Sequence, residues 1–324
     1  MDWDFLIRML ASILADSSPL VFACIGETVT EKAGVINLSL DGSILLSAMT
    51  GFAVGYGSGS LVLGLLSAMG VGALVALIVV VAGIELRQDQ VAVGFILTLM
   101  ATDLSSFLGN PFVRKPGPEM PHLAIPLLKD IPVLGPLFFN HNLFTYGSFV
   151  LILLAWFWIF KTGPGLAMRG VGERPEAAFA RGISVRGVRY LYTLIGGSLV
   201  GLAGANFSLS VKLGWSYQHT LGIGWIALAI VIFGGWNPFK AALGTYLFGG
   251  LQSLGILFQG VLPSLPIQVF QVAPFVFMIV VLALVSNQRL ERVVELLPGP
   301  IGRSLAGFLR LAPPSGLGKP FERE

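Results

Sequence analysis

Residues 61–83 read LVLGLLSAMGVGALVALIVVVAG, a run without a single charged side chain. At ~1.5 Å per residue a helix of this length crosses the ~30 Å hydrocarbon layer of a bilayer, for which about 20 residues suffice. Its glycines, Gly64, Gly70, Gly72 and Gly83, lie inside the run. Small residues there let helix backbones approach one another in lipid. Comparable apolar runs flank it at 6–25, 34–54, 91–110, 144–160, 190–210, 222–235, 240–259 and 268–286. The predicted class is therefore all-α, a polytopic membrane protein of about nine (eight to ten) transmembrane helices. Two segments are expected to be broken or re-entrant. The first carries Asp16, Ser17, Ser18 and Pro19, and the seventh, Gly222 to Gly235, is too short to span as a straight helix. Residues 1–287 read as one transmembrane domain and 288–324 as a polar tail, while Pro and Gly clustered between Pro111 and Pro136 predict a long loop over one mouth.

Composition points the same way. Apolar residues make up 55% of the 324 and charged residues 11%, and mean hydropathy is +0.82, whereas soluble domains are about a quarter charged. The net charge of +3 and the absence of basic residues interleaved with aromatics argue against nucleic acid. The one cysteine, Cys24, allows no intrachain disulfide. His122, His141 and His219 are scattered, without metal-ligand spacing, so no metal is expected. Met1-Asp2-Trp3-Asp4 lacks the basic start of a secretory signal, and no processing is expected. Trp215, Tyr217 and Trp225 at one end of the spans, and Trp156 and Trp158 at the other, read as interface anchors before base-stacking platforms.

Lys and Arg concentrate in 161–189 (Lys161, Arg169, Arg174, Arg181, Arg186, Arg189) and in the tail, which places both in the cytoplasm. An even number of spans between them agrees, and counting back puts the N-terminus outside. Within the basic loop, Pro175 suits a first helical turn, the Ala-rich run after it propagates a helix, and Gly182 suits the position past its end. So short a helix needs packing to persist. It is either a docking element for a partner or an incidental turn in a solvated loop.

The loop, from Gly163 through Arg169, Gly172, Glu173, Pro175, Ala177, Ala178, Phe179 and Arg181 to Gly182 and Ile183, resembles the coupling loop of permease subunits in ABC importers of the nucleoside and simple-sugar class. These are related to the ribose and branched-chain amino acid permeases. The likeness extends to Glu31-Lys32-Ala33-Gly34-Val35-Ile36-Asn37-Leu38-Ser39-Leu40-Asp41-Gly42, to Leu86 through Gly94, to Ile183-Ser184-Val185-Arg186 and to Ile226 through Gly234. In two places the sequence departs: Asp41 stands where Glu is commoner, and Thr98 where Asn is often seen. The resemblance implies a type II ABC importer-like fold in the plasma membrane of a prokaryote, with 161–189 as the coupling loop and 175–182 docking on a cytoplasmic ATPase subunit. It also implies a second, related permease subunit, an external solute-binding protein, and ATP and Mg held by the ATPase, with no cofactor on this chain.

Asn37 and Asp41 are four apart and would share a helical face, and an ionisable group in an apolar span is a functional candidate. Gly34 and Gly42 permit a break there, which lipid tolerates only inside protein or along a water-filled cavity. These residues therefore line a path or bond a neighbouring helix. Glu27 and Glu31 invite a paired-carboxylate reading, but a solvated helix end beside Lys32 is expected. Asp103, with Thr102, Ser105 and Ser106, lines an entrance or caps a polar contact. The substrate-path candidates are thus Asn37, Asp41, Thr98 and Asp103.

No phosphate-cradling loop is present, so the chain is not expected to be the ATPase or an enzyme. Three classes compete. An ABC permease, which would include a branched-chain amino acid type, leads. A self-sufficient secondary transporter would need more than Asp41 in its spans, and a membrane enzyme would need a catalytic cluster that is not seen.

Overall fold

The computed structural model describes residues 3–261, 266–285 and 313–321. Its regular elements are helices apart from one hairpin of three-residue strands, β1 His122–Ala124 and β2 Asn140–Asn142, paired antiparallel with Leu123 opposite His141.

The polar break foreseen in the first segment falls at Ser17. α1 (Trp3–Asp16) and α2 (Ser18–Lys32) meet there at 41° and together make one bent span, with Pro19 in the first turn of α2 where its missing N–H costs nothing. Every residue of α2 from Ser18 to Glu31 is buried, so it is the central helix, enclosed by α6, α9, α10 and α11. α3 (Leu40–Ser58), α4 (Leu61–Ile84) and α5 (Gln90–Gly109) follow. Asp89 caps α5 by accepting from Ala92 N at 2.9 Å. The loop 110–142 carries the hairpin and packs onto residues 207–211, with Met120 N donating to Leu209 O at 2.9 Å. α6 (Leu143–Lys161) leads to two short helices, α7 (Gly163–Glu173) and α8 (Pro175–Ala180), and then to α9 (Val185–Asn206), extended by a π turn over Phe207–Val211. The last three helices are α10 (Ile223–Phe233), α11 (Pro238–Val261) and α12 (Ile267–Val285).

Among the described residues five helices are long and apolar enough to cross alone, and the α1–α2 pair makes six. The count of about nine is not reached by that measure. α3, although 19 residues long, carries Asp41, Ser43 and Ser47. α10, at 11 residues, is the short seventh segment, as its sequence foretold.

Glycine contact holds the centre together. α9 lies between α2 and α4 with glycine facing glycine on both sides. A Cβ built on Gly26 would sit 2.6 Å from Gly196 O, and one on Gly197 would sit 2.6 Å from Gly72 O. Any side chain at these positions would force the backbones apart.

Candidate translocation and coupling sites

Between α2 and α3 the chain is not helical over 33–39. Gly34 turns it at φ +92°, a conformation that glycine adopts without strain. Unwound backbone needs partners inside the protein, and here side chains from neighbouring elements supply them. Ile36 N donates to Gln90 Oε1 at 2.8 Å, Asn37 N to Glu27 Oε1 at 3.3 Å, and Thr98 Oγ1 to Leu38 O at 2.8 Å. Asn37 Oδ1 accepts from Ser39 N at 3.1 Å and from Ser39 Oγ at 2.5 Å. Asn37 therefore sits in the break, not on a helical face shared with Asp41. Its amide organises the restart of the chain into α3. Gly42, read as a helix breaker, lies in the first turn of α3, where its bare backbone allows contact with Thr98. A Cβ there would come within 2.7 Å of Thr98 Cα.

Asp41 is 2% exposed and faces the start of α10. Its Oδ1 accepts from Gly224 N at 2.8 Å and its Oδ2 from Gly222 N at 3.2 Å. One carboxylate thus satisfies two orphan donors at the α10 N-terminus while standing in the first turn of α3, so the positive ends of two helices meet on it. The structure brings Asn37, Asp41 and Thr98 together around the broken segment. Asp103 is not with them. It lies exposed on the outer face of α5, among Leu99, Met100 and Phe107.

The reading of Glu27 and Glu31 as a solvated helix end is overturned: they are 0% and 5% exposed. α2 runs through to Lys32 instead of ending before them, and the Trp236 indole N–H, from the turn between α10 and α11, donates to Glu31 Oε2. A carboxylate in this setting is tolerable because the indole and Asn37 N are aimed at the pair. Trp215, expected as an interface anchor, is 1% exposed. Nothing local in the sequence marks either change, since Glu31 and Trp236 are 205 residues apart. Among the described residues no cluster of potential metal ligands is found.

The loop 161–189 folds as its sequence suggests. Pro175 opens α8, and Gly182, at φ +80°, closes it, its N–H donating to Phe179 O at 2.8 Å. Gly172, Pro175 and Ala178 are buried, whereas Glu173, Ala177, Phe179, Arg181 and Gly182 are exposed. Arg169 is half-buried, with its guanidinium 5.3 Å from the centre of the Phe160 ring. The buried residues seat α7 and α8 on the protein; of the exposed ones, Ala177, Arg181 and Gly182 face outward, while Glu173 accepts from Ser315 and Phe179 meets Phe321. Gly172 packs against the Lys32 carbonyl and Gly34, so the loop touches the broken segment directly.

A contact absent from the sequence reading reinforces this one. Residues 313–321, from the expected tail, bind beneath the loop, whereas 288–312 and 322–324 lie outside the described residues. Gly316 N donates to Gly172 O at 2.8 Å and Gly318 N to Gly34 O at 3.1 Å. Buried Arg189 donates to Lys319 O at 2.9 Å, and the Phe321 ring lies tilted at 58° against Phe179, 5.5 Å between ring centres. The Pro-Pro-Ser-Gly-Leu-Gly run at 313–318 was the available signal, as a compact turn rather than a loose tail.

A family model described as branched-chain amino acid transport system/permease component matches residues 9–282. The nucleoside ABC transporter permease protein NupC of Lactococcus lactis is 36% identical over 290 residues, covering 85% of this chain and 91% of its own. The guanosine ABC transporter permease protein NupQ of Bacillus subtilis is 33% identical, with 85% and 90% covered. A putative glucose ABC transporter permease protein, TsgC13, of Haloferax volcanii is 34% identical over 79% of each chain. No solved structure matches significantly.

Proposed function

The chain belongs to the branched-chain amino acid transport system/permease component family and is a multi-pass permease subunit of an ABC importer, and we propose that it conducts a nucleoside through the broken segment around Asn37, Asp41 and Thr98. The observation that carries the substrate is the similarity, over nine-tenths of their length, to permeases named for nucleosides and for guanosine. The relative named for glucose keeps a simple sugar as the second reading.

ATP and Mg reside on a partner ATPase in this scheme, and this chain hydrolyses nothing. The ATPase meets the exposed face of α8, and that end of the protein, with residues 313–321, is cytoplasmic. Movement delivered to α8 passes through α7, because Gly172 bears on Lys32 and Gly34, and so reaches the hinge between α2 and α3. The hinge carries Asn37 and Asp41, and Asp41 holds α10. A push at the coupling helix therefore repositions polar groups at membrane depth without needing α2 to bend. An external binding protein delivers the solute, and a second permease subunit completes the path. Asp103 supports that last step: an acidic side chain on an exposed apolar helix belongs against water or a partner rather than lipid.

Proteoliposomes holding this permease with its partner subunits and binding protein are expected to accumulate labelled guanosine on addition of ATP, and not leucine. Uptake of glucose alone would replace the nucleoside reading with the sugar one. For the coupling step, Phe179→Ala combined with Arg181→Glu should reduce co-purification of the ATPase at least tenfold while the permease still elutes as a folded protein. Undiminished binding and uptake in that variant would remove α8 from the interface.

A further inference from the structure

The segment 212–222, between the π turn and α10, holds three buried side-chain polar atoms with no hydrogen-bond partner among the described residues: Trp215 Nε1, His219 Nε2 and Thr220 Oγ1. Trp215 and Thr220 are each 1% exposed. His219 can be assigned a tautomer, because its Nδ1 faces Ser216 N at 3.1 Å and must accept from it. The ring proton of the neutral imidazole is therefore on Nε2. Burial, with a smaller contribution from Lys212, pushes this histidine down to about 4, so at neutral pH it carries one proton. The indole and imidazole, 4.9 Å apart between ring centres, then offer two N–H donors, and neither can accept from the other. Thr220 adds a hydroxyl.

Buried donors are nearly always paired, and these three, within six residues, meet no acceptor among the described residues. The segment is held at both ends. Arg114 N donates to Trp215 O at 3.1 Å, and Gly222 N reaches Asp41 Oδ2, which joins the segment to the broken-helix site. The Trp215 indole also lies against Gly109 at the end of α5 and near Met49 of α3. Displacement of the α5 end would uncover it.

We propose that Trp215, His219 and Thr220 form a solute-contacting patch that donates hydrogen bonds to the hydroxyl oxygens of a neutral, polyhydroxylated solute as it passes Asp41. This rests on the transport reading above. The class of solute follows from the donors, which match acceptor oxygens, and from what guanosine, other nucleosides and glucose share, a ring bearing several hydroxyls.

The test uses the complete importer in proteoliposomes, with guanosine, ribose, glucose and leucine as probes, each sugar-bearing solute paired with a deoxy analogue. Trp215→Phe and His219→Phe keep an aromatic ring and remove one donor. Each should lower the uptake ratio of hydroxylated solute to deoxy analogue at least fivefold in importer that still assembles. His219→Gln, which restores a side-chain N–H donor, should recover part of the ratio. An unchanged ratio in both Phe variants, an equal loss for both members of each pair, or failure of both variants to assemble would overturn the patch. So would a wild-type importer that moves leucine alone or none of the four. Uptake of glucose or ribose without guanosine would sink the nucleoside reading only, and the ratio would then be read on the transported sugar.

Discussion

Asp41→Ala is expected to lower ATP-driven uptake by the assembled importer at least tenfold. The carboxylate is the shared N-terminal partner of α3 and α10, and hydrogen bonds to a charged group contribute about 1.5–3 kcal/mol each. Removing it orphans Gly222 N and Gly224 N inside the protein and leaves α10 free to shift, so both geometry and the path's polarity change. Asp41→Asn keeps one acceptor oxygen, enough for the shorter bond to Gly224 N, and should retain measurably more uptake than alanine. Gly224 lies so close to the Asp41 backbone that a Cβ built on it would run into Asp41 N, so α10 can present only glycine there. The measurement is initial uptake rate normalised to the folded protein recovered by size-exclusion chromatography. Alanine transporting as well as wild type would show that Asp41 neither lines the path nor holds it in shape.

Gly72→Leu should prevent the accumulation of folded protein, whereas Gly70→Leu, two residues away on the same helix, should be neutral. Leucine improves helix propensity equally at both positions, so packing alone separates them. A Cβ on Gly72 would lie 2.7 Å from Gly201 Cα, while one on Gly70 meets nothing within 4 Å. Over-packing a tight contact typically costs about 1–3 kcal/mol, and more when backbone blocks relief. Here the obstacle is the backbone of α9, which is pinned on its other side by Gly26 of α2. Detergent-extracted yield and melting temperature report the difference, and two variants of equal stability would refute the close α4–α9 packing.

Much of this was legible in the sequence because lipid imposes length and apolarity on each crossing helix. The runs at 61–83, 91–110, 144–160 and 240–259 correspond to helices with shifts of a few residues at their ends. Gly182 and Pro175 bounded α8 because helix termini have local chemical rules. The short α10 and the interruption after α2 were also readable, one from its length and the other from Gly34. Gly42 was misassigned for a physical reason. Glycine serves equally as a breaker and as a contact point, and only the neighbour, Thr98, decides. The acidic pair on α2 was invisible for a related reason, since a four-residue spacing and an adjacent lysine describe a solvated end as well as a buried one. Its partner Trp236 comes from the far side of the chain. Residues 313–321 were hidden because a polar composition does not specify what a segment binds.

The bend at Ser17 sets a problem of timing. Ser17 Oγ reaches the carbonyl of Thr245, 228 residues later in the sequence, and Ser18 Oγ accepts from Asn206 Nδ2, 188 residues later. At a ribosomal pace of about 5–20 residues per second, the polar groups of the earliest span wait roughly 10–45 s for partners that have yet to be synthesised. The N-terminal helices must therefore enter the membrane before their core contacts exist, held meanwhile by the insertion machinery or by water. Maturation of the subunit is completed by its last helices, and a ribosome stalled before Thr245 would leave an inserted chain whose first bend is still unsealed.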